Sequence, residues 1–520
     1  MKDYLHVGNA KELTSPADRR LYRFFEILPG VLAWATLLFV VAISFLTPTF
    51  AAIFIILFDI YWLIKTIYLS LLTRSSFFQM RRNLKVNWLE RLEQLDRSSV
   101  ISNKLSVGSW QDLYHLIILP AYKEPYQIVR ESLEAINKAR YPHEKFLVVL
   151  GIEERAGEHG VELTRQAEAE FGSAFGHFLT TVHPDGLPGE QAGKGSNEAW
   201  AGQRAKEHII DKLGIPYQRI IVSVFDIDTI VPHDFFACLT WHYLTAKNPL
   251  RASYQPIPLF TNNIWSAPAF ARVFAFSTTF WQMIQQARRE QLVTFSSQSI
   301  GFQAVVDVGF WQKNIVSEDS RIFWQCLLHY DGDWETVPLY YPVYMDANVA
   351  PTFWQTVRNQ YKQIRRWLWG AENIPYMMFG FNKNKKIPAW TKWHHNFIQL
   401  ERTHSSATNA LIMFLLSWLP LWIGGSHFTV TILSYNLPKI TAWILGVAML
   451  GLVTSALISI MLLPPRPPNY GKLKWLWMFF QWILFPINFI IFGAIPALDA
   501  QTRLLLGRYL GFWVTPKSRK

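Results

Sequence analysis

Five apolar runs, at 27–46, 50–72, 407–423, 440–463 and 475–498, constrain this chain more than any other feature. Each approaches the roughly 20 residues that a helix needs to cross the hydrocarbon core of a bilayer. Between the second and the third lies a long stretch of ordinary polar content, so the pattern predicts a membrane protein with a large inserted domain. The first run follows a charged segment with Lys11, Arg19, Arg20 and Arg23 and lacks a small-residue cleavage site, which marks an uncleaved anchor. Only Thr47, Pro48 and Thr49 separate the first two runs, so they should form a hairpin. Asp59 and Lys65 interrupt the second run. Charges at that depth face protein or water: Lys65 snorkels or pairs with Asp59, and a polar translocation path is the alternative.

The formal net charge of +12 gathers beside the apolar runs, at Arg74, Arg81, Arg82 and Lys85 and again at Arg466, Lys472 and Lys474. That distribution follows the positive-inside rule, argues against a nucleic-acid surface, and puts the insert on the cytosolic side of the cell membrane. Cys238 and Cys326 are the only cysteines, too few for a metal site, and read as reduced core residues.

Within the insert, short apolar strands alternate with helical stretches, the signature of a parallel sheet with crossover helices. Strands are predicted at 114–119, 145–152, 178–182 and 220–225, with a weaker one at 252–259; helices are predicted from Lys194, over 264–289 and from Ser317. The run at 220–225 carries no charge, and Asp226 and Asp228 follow it. In the turn that leaves a buried strand, an Asp-x-Asp can aim both carboxylates beyond the strand's carboxyl end, where open α/β sheets bind ligands. All-oxygen ligands suit Mg2+ or Mn2+, and such an ion commonly carries substrate phosphates. A helix cap or a solvated turn is the plain alternative. Ser317 before Glu318 and Asp319 is likewise a good N-cap. The stretch 355–369, with Arg358, Lys362, Arg365 and Arg366 beside Trp367 and Trp369, reads alternatively as an amphipathic helix lying on anionic lipid.

Taken in order over 116–369, these motifs resemble the catalytic domain of family 2 glycosyltransferases, in the membrane-embedded processive branch that includes cellulose and hyaluronan synthases. The turn PAYKEP, with Pro120, Tyr122 and Glu124, is similar to that family's opening nucleotide-binding turn. Lys194 and Asn197 stand where the family has a phosphate-side Lys and a nearby Asn. Asp226 and Asp228 match its metal-binding D-x-D, Glu318 and Asp319 its T-E-D with Ser317 replacing Thr, and Gln363, Arg366 and Trp367 its Q-x-x-R-W. Phe512, Val514, Thr515 and Lys517 fit F-x-V-T-x-K, the gating-loop motif of the cellulose synthase group. Where the family has an Asp after the second strand, this chain has Glu153, Glu154 and Arg155, a longer carboxylate for the nucleotide.

The resemblance implies a GT-A-type α/β nucleotide-sugar-binding domain inserted between transmembrane helices. Its expected bounds are a tail and two-helix hairpin at 1–85, a cytosolic catalytic domain with interfacial helices at 86–395, membrane helices at 396–498 and a cytosolic tail at 499–520. Carried over residue by residue, it implies Asp319 as general base with Glu318 beside it, and Asp228 with Asp226 on a Mg2+ or Mn2+ ion. Pro120, Tyr122, Glu124, Glu153, Glu154, Lys194, Asn197, Asp226, Arg366, Thr515 and Lys517 would surround the donor. Gln363, Arg366 and Trp367 would meet the acceptor, the indole offering a face for a sugar ring. The implied reaction is inverting, metal-dependent hexosyl transfer from a nucleoside diphosphate sugar, expected to be a UDP-sugar, to a growing polysaccharide, coupled to its translocation. Transfer of one sugar to a lipid carrier is the first alternative. A transporter with a regulatory nucleotide-binding insert is the second, and the absence of Gly/Pro-interrupted repeat pairs argues against it.

The last apolar run is broken near its middle by Phe485 and Pro486, and proline kinks a helix. Two arms of about a dozen residues are each too short to span. A re-entrant hairpin is therefore expected, which keeps Thr515 and Lys517 on the cytosolic side with Arg503 and Arg508.

Overall fold

The computed structural model describes residues 3–97 and 107–516. Seven strands form one sheet: Tyr114–Ala121 (β1), Phe146–Glu153 (β2), His177–His183 (β3), Ile220–Val224 (β4), Ala252–Leu259 (β5), Gln298–Gly301 (β6) and Glu335–Tyr344 (β7). Their spatial order is β3-β2-β1-β4-β6-β5-β7. β2 and β4 are buried at every position and β1 at all but Tyr114, which is why these segments carry no Asp, Glu, Lys or Arg before the terminal Glu153 of β2 and need cover on both faces. Alternation along β1 sends Ile117 and Leu119 into one core with Val148, Leu133 and Phe236. Leu116 and Ile118 enter the opposite core with Val149, Val222, Ala199 and Leu327. Each such side chain, fully buried, contributes about 1.5–3 kcal/mol.

The chain lays down β1, β2 and β3 outward in parallel, then returns to place β4 on the other side of β1. That reversal opens a crevice beyond the carboxyl ends of β1 and β4, the place where such sheets take ligands. The expected all-parallel sheet holds only for β1 to β4. β6 runs antiparallel to β4 and β5, and β7 parallel to β5. β6 escapes a reading by hydrophobicity because half of it is polar: Ser299 is held by a buried hydroxyl pair with Ser223, 2.7 Å apart.

Among the described residues, four helices are long and apolar enough to cross a membrane, Pro16–Leu46, Pro48–Asn83, Ile432–Met461 and Lys474–Leu505; Ala389–Phe414 with Leu416–Ile423, bent by 44°, makes a fifth if the pair is one span. The sheet lies between these groups in sequence. Lys65 does not pair with Asp59 as expected. Six residues apart, the two point to different sides of their helix, and Lys65 Nζ instead reaches Glu401 Oε1 of Ala389–Phe414 at 2.8 Å.

The expected reversal at Phe485-Pro486 does not occur. Pro486 falls in the first turn of the helix Phe485–Phe489, where it forfeits no hydrogen bond. The chain stays helical from Lys474 to Leu505, with a 3-10 turn at Gln481–Leu484 and a π turn at Ile490–Ala494. This helix touches the sheet domain along its length. Gln481 Oε1 accepts from Arg272 Nε at 2.7 Å, Asn488 Nδ2 donates to the Phe270 carbonyl at 2.9 Å, and Asp499 Oδ2 accepts from Arg365 Nη1 at 2.9 Å. Ahead of the first helix, residues 4–10 also fold onto the domain: Leu5 is buried in its core, and the Tyr376 hydroxyl donates to the Leu5 carbonyl at 2.9 Å.

Candidate active site

The turn after β1 is drawn in by the Glu124 carboxylate, which accepts the Tyr122 N–H at 2.7 Å, and Pro120, last but one in the strand, lies in register with Gly151 of β2. Beyond β2, Glu153 is buried and ion-paired with Arg155, whose guanidinium stands 4.4 Å from the centre of the Tyr122 ring. Glu154 accepts the Asp185 N–H at 2.9 Å, and a small cavity opens here between Glu153, Arg155, His183, Asp185 and Glu190.

Beyond β4 the two aspartates diverge. Asp226 keeps a partly exposed carboxylate that accepts from the Ser296 hydroxyl at 2.5 Å. Asp228 is fully buried; its Oδ2 accepts the Asp346 N–H at 2.9 Å and its carbonyl accepts from Asn262 Nδ2 at 3.0 Å. The cap reading of Ser317 fails as well. Its hydroxyl and N–H are both given to Glu372 Oε1, at 2.6 and 2.9 Å, and no side chain caps the helix Glu318–His329.

Lys194 joins these segments. It opens the helix Lys194–Ala205, and its Nζ lies 2.7 Å from Asp226 Oδ1, 2.8 Å from Asp319 Oδ1, 3.3 Å from Glu198 Oε1 and 3.9 Å from Glu318 Oε1. Two glycines flank it. A Cβ on Gly195 would meet the Glu318 side chain at 2.9 Å, and one on Gly193, at φ +152°, would meet the Phe512 ring at 2.5 Å. Glycine is what lets both partners approach so closely. Burial works against the Lys194 charge, but Asp226, Asp319, Glu198 and Glu318 outweigh it and hold its pKa well above an ordinary lysine. Burial lifts Glu198 well above the usual carboxylate range, and lifts Glu318, with the Asp319 charge adding to it, to about 8.

Glu198 did not announce itself in sequence. The only signal is its spacing: four residues after Lys194 on one helix, it shares that residue's face. Asn197, expected near the phosphates, is instead completely buried and donates from Nδ2 to the Gly151 carbonyl at 2.8 Å, fastening the helix to β2.

The remaining residues come from the interfacial helix Phe353–Leu368 and the tail. The Arg366 guanidinium lies 4.8 Å from the Phe512 ring, and Lys362 Nζ 5.2 Å from the Trp513 ring. Thr515 is buried, whereas Lys517 lies outside the described residues. Trp367 is half-buried among Phe260, Phe274 and Phe295, with ring centres 5.8 to 6.4 Å away, and Gln363 accepts from Asn348 Nδ2 at 3.2 Å. On the basic side of this helix Arg365 is met by Asp499, whereas Arg358 is exposed.

The donor set fits a hard divalent cation. Oxygens of Glu198, Glu318 and Asp319 lie within 4.8 Å of one another, and both carboxylate oxygens of Glu198 and of Glu318 are buried without a hydrogen bond among the described residues.

No protein-family model matches the chain, and no curated protein matches it in sequence. Solved structures similar to it include the mannosyltransferase PcManGT from Pyrobaculum calidifontis in complex with GDP-Man and Mn2+, at 12% identity and TM-score 0.40 over 76% of this chain and 99% of that one. TarS 1-349 from S. aureus in complex with UDP-GlcNAc is similar at 10% identity and TM-score 0.35, over 66% of this chain and 90% of that one.

Proposed function

We propose that this chain is a membrane-embedded, inverting family 2 glycosyltransferase that moves a sugar from a nucleoside diphosphate, a UDP-sugar first among donors, to a growing glycan. One observation carries the reading. Lys194, Asp226, Glu318 and Asp319, from three separate segments, meet at the crevice beyond β1 and β4, and Arg366 and Phe512 close it from two more.

The chemistry asks for those groups. A departing nucleoside diphosphate gains negative charge, and the Lys194 ammonium and Arg366 guanidinium stand ready to receive it. Glu198, Glu318 and Asp319, with Asp226 held beside them through Lys194, would hold a divalent ion, which when bound supplies further charge neutralisation at the diphosphate. Asp319, whose side chain is about a quarter exposed (23%), then takes the proton of the acceptor hydroxyl. The hydroxyl oxygen bonds to the anomeric carbon as the bond from that carbon to the diphosphate breaks, and a single displacement inverts the centre. Tyr122 and Arg155, stacked beside Glu153, would hold the nucleoside; Trp367 and Gln363 would face the acceptor.

The apolar helices support a bilayer location for this chemistry, and the charge bias supports a cytosolic sheet domain. A polar seam of Lys65, Glu401, Thr36 and His404 runs between them, with Thr36 Oγ1 2.9 Å from His404 Nε2. A hydroxyl-rich chain could follow that seam, which favours a translocated polymer over a single sugar passed to a lipid. The test is to incubate the purified protein with labelled UDP- and GDP-sugars and Mg2+ or Mn2+. Nucleoside diphosphate release with a polymeric product is expected, a lipid-linked monosaccharide would select the alternative, and no transfer from any donor would sink both.

A further inference from the structure

The Lys194 side chain is only 11% exposed and reaches four carboxylates with one ammonium. Three of those carboxylates, Glu198, Glu318 and Asp319, form the set that fits a divalent ion. An ammonium and a divalent cation cannot share one ring of oxygens a few ångströms across, because like charges at that distance repel strongly in a dry site. One cation must leave for the other to enter.

Lys194 stands beside a place for an anion. It is the first residue of the helix Lys194–Ala205 and follows Gly193 at φ +152°. The start of a helix of this length, with its unpaired N–H groups, accepts an anion such as a diphosphate beside the same residue. Without such an anion, the ammonium would have to surrender four carboxylates for water alone.

We infer that Lys194 is an exchangeable cation: with no nucleotide bound it fills the ion's position among Asp226, Asp319, Glu198 and Glu318, and a nucleoside diphosphate draws it out, so that divalent ion and nucleotide enter as a coupled pair. The inference rests on the glycosyltransferase reading and deepens it by fixing how the site is loaded. Coupling of this kind is reciprocal: whatever factor the nucleotide adds to ion affinity, the ion adds to nucleotide affinity.

The experiment is Mn2+ titration of the full-length protein in detergent, with free Mn2+ read by electron paramagnetic resonance, alone and with UDP or GDP. Wild type should bind Mn2+ at the site at least tenfold more weakly without nucleotide than with it. Lys194→Met should bind Mn2+ without nucleotide at least tenfold more tightly than wild type does, with most of the coupling gone. Equal or weaker nucleotide-free Mn2+ affinity in Lys194→Met overturns the exchange while leaving the glycosyltransferase reading intact. Absence of Mn2+ binding from both proteins even with UDP or GDP overturns that reading too. Should Lys194→Met not fold, Lys194→Met combined with Glu198→Gln, which keeps the cluster's net charge, is compared with Glu198→Gln alone, and the same tightening is required.

Discussion

Lys194 Nζ lies 2.7 Å from Asp226 Oδ1, so one ammonium at the start of a helix fixes the loop that leaves β4. Its second short contact, 2.8 Å to Asp319, brings in the first turn of the helix Glu318–His329. Three segments distant in sequence are thereby set relative to each other before any ligand arrives.

If Asp319 takes the acceptor's proton, Asp319→Asn should lower turnover by roughly two to four orders of magnitude, the usual share of a positioned base. Donor affinity should stay nearly unchanged. Titrating nucleotide binding beside single-turnover rates separates the two, and a collapse of affinity would recast Asp319 as a ligand.

Asp226 and Asp228 should behave differently despite their proximity. Asp226→Asn removes a carboxylate that faces the crevice and should abolish metal-dependent turnover with little change in melting temperature. Asp228→Ala leaves the buried Asp346 N–H without its acceptor and should cost about 1–3 kcal/mol of stability. Thermal unfolding in detergent would show the contrast, and equal melting temperatures would refute it.

Gly193→Ala should dislodge the tail, since the added methyl falls 2.5 Å from the Phe512 ring. Combined with Thr515→Cys, at a buried position of the same tail, it should raise the rate at which a thiol reagent labels position 515. An unchanged labelling rate would mean that the tail tolerates the methyl where it sits.

The Lys65–Glu401 pair ties two apolar helices together. Lys65→Met and Glu401→Met should each destabilise the protein by stranding the other charge. The double variant should fall short of their sum by roughly 0.5–3 kcal/mol, as for residues in direct contact. Additive losses would show the two charges to be independent.

The sequence was most legible where one physical demand dominated. β1, β2 and β4 are buried on both faces, so their interiors had to be free of formal charge, with Glu153 only at the very end of β2, and could be found by that alone. Asp226, Lys194, Glu318 and Asp319 were visible as carboxylates and a lysine at element boundaries, where a helix or strand aims its ends. Asn197 misled because its partner is a backbone carbonyl, Gly151, and backbone needs leave no mark in sequence. Glu198 stayed hidden inside a helix, one turn after Lys194. Pro486 misled in another way: proline breaks a helix in its interior but sits comfortably in a first turn, and a short 3-10 turn just ahead of it supplies one.

The helix Lys474–Leu505 rests on the sheet domain near both of its ends, through Gln481 and through Asp499. A helix pinned at two points about 18 residues apart cannot tilt without breaking one of those bonds, so helix and sheet domain share one rigid frame.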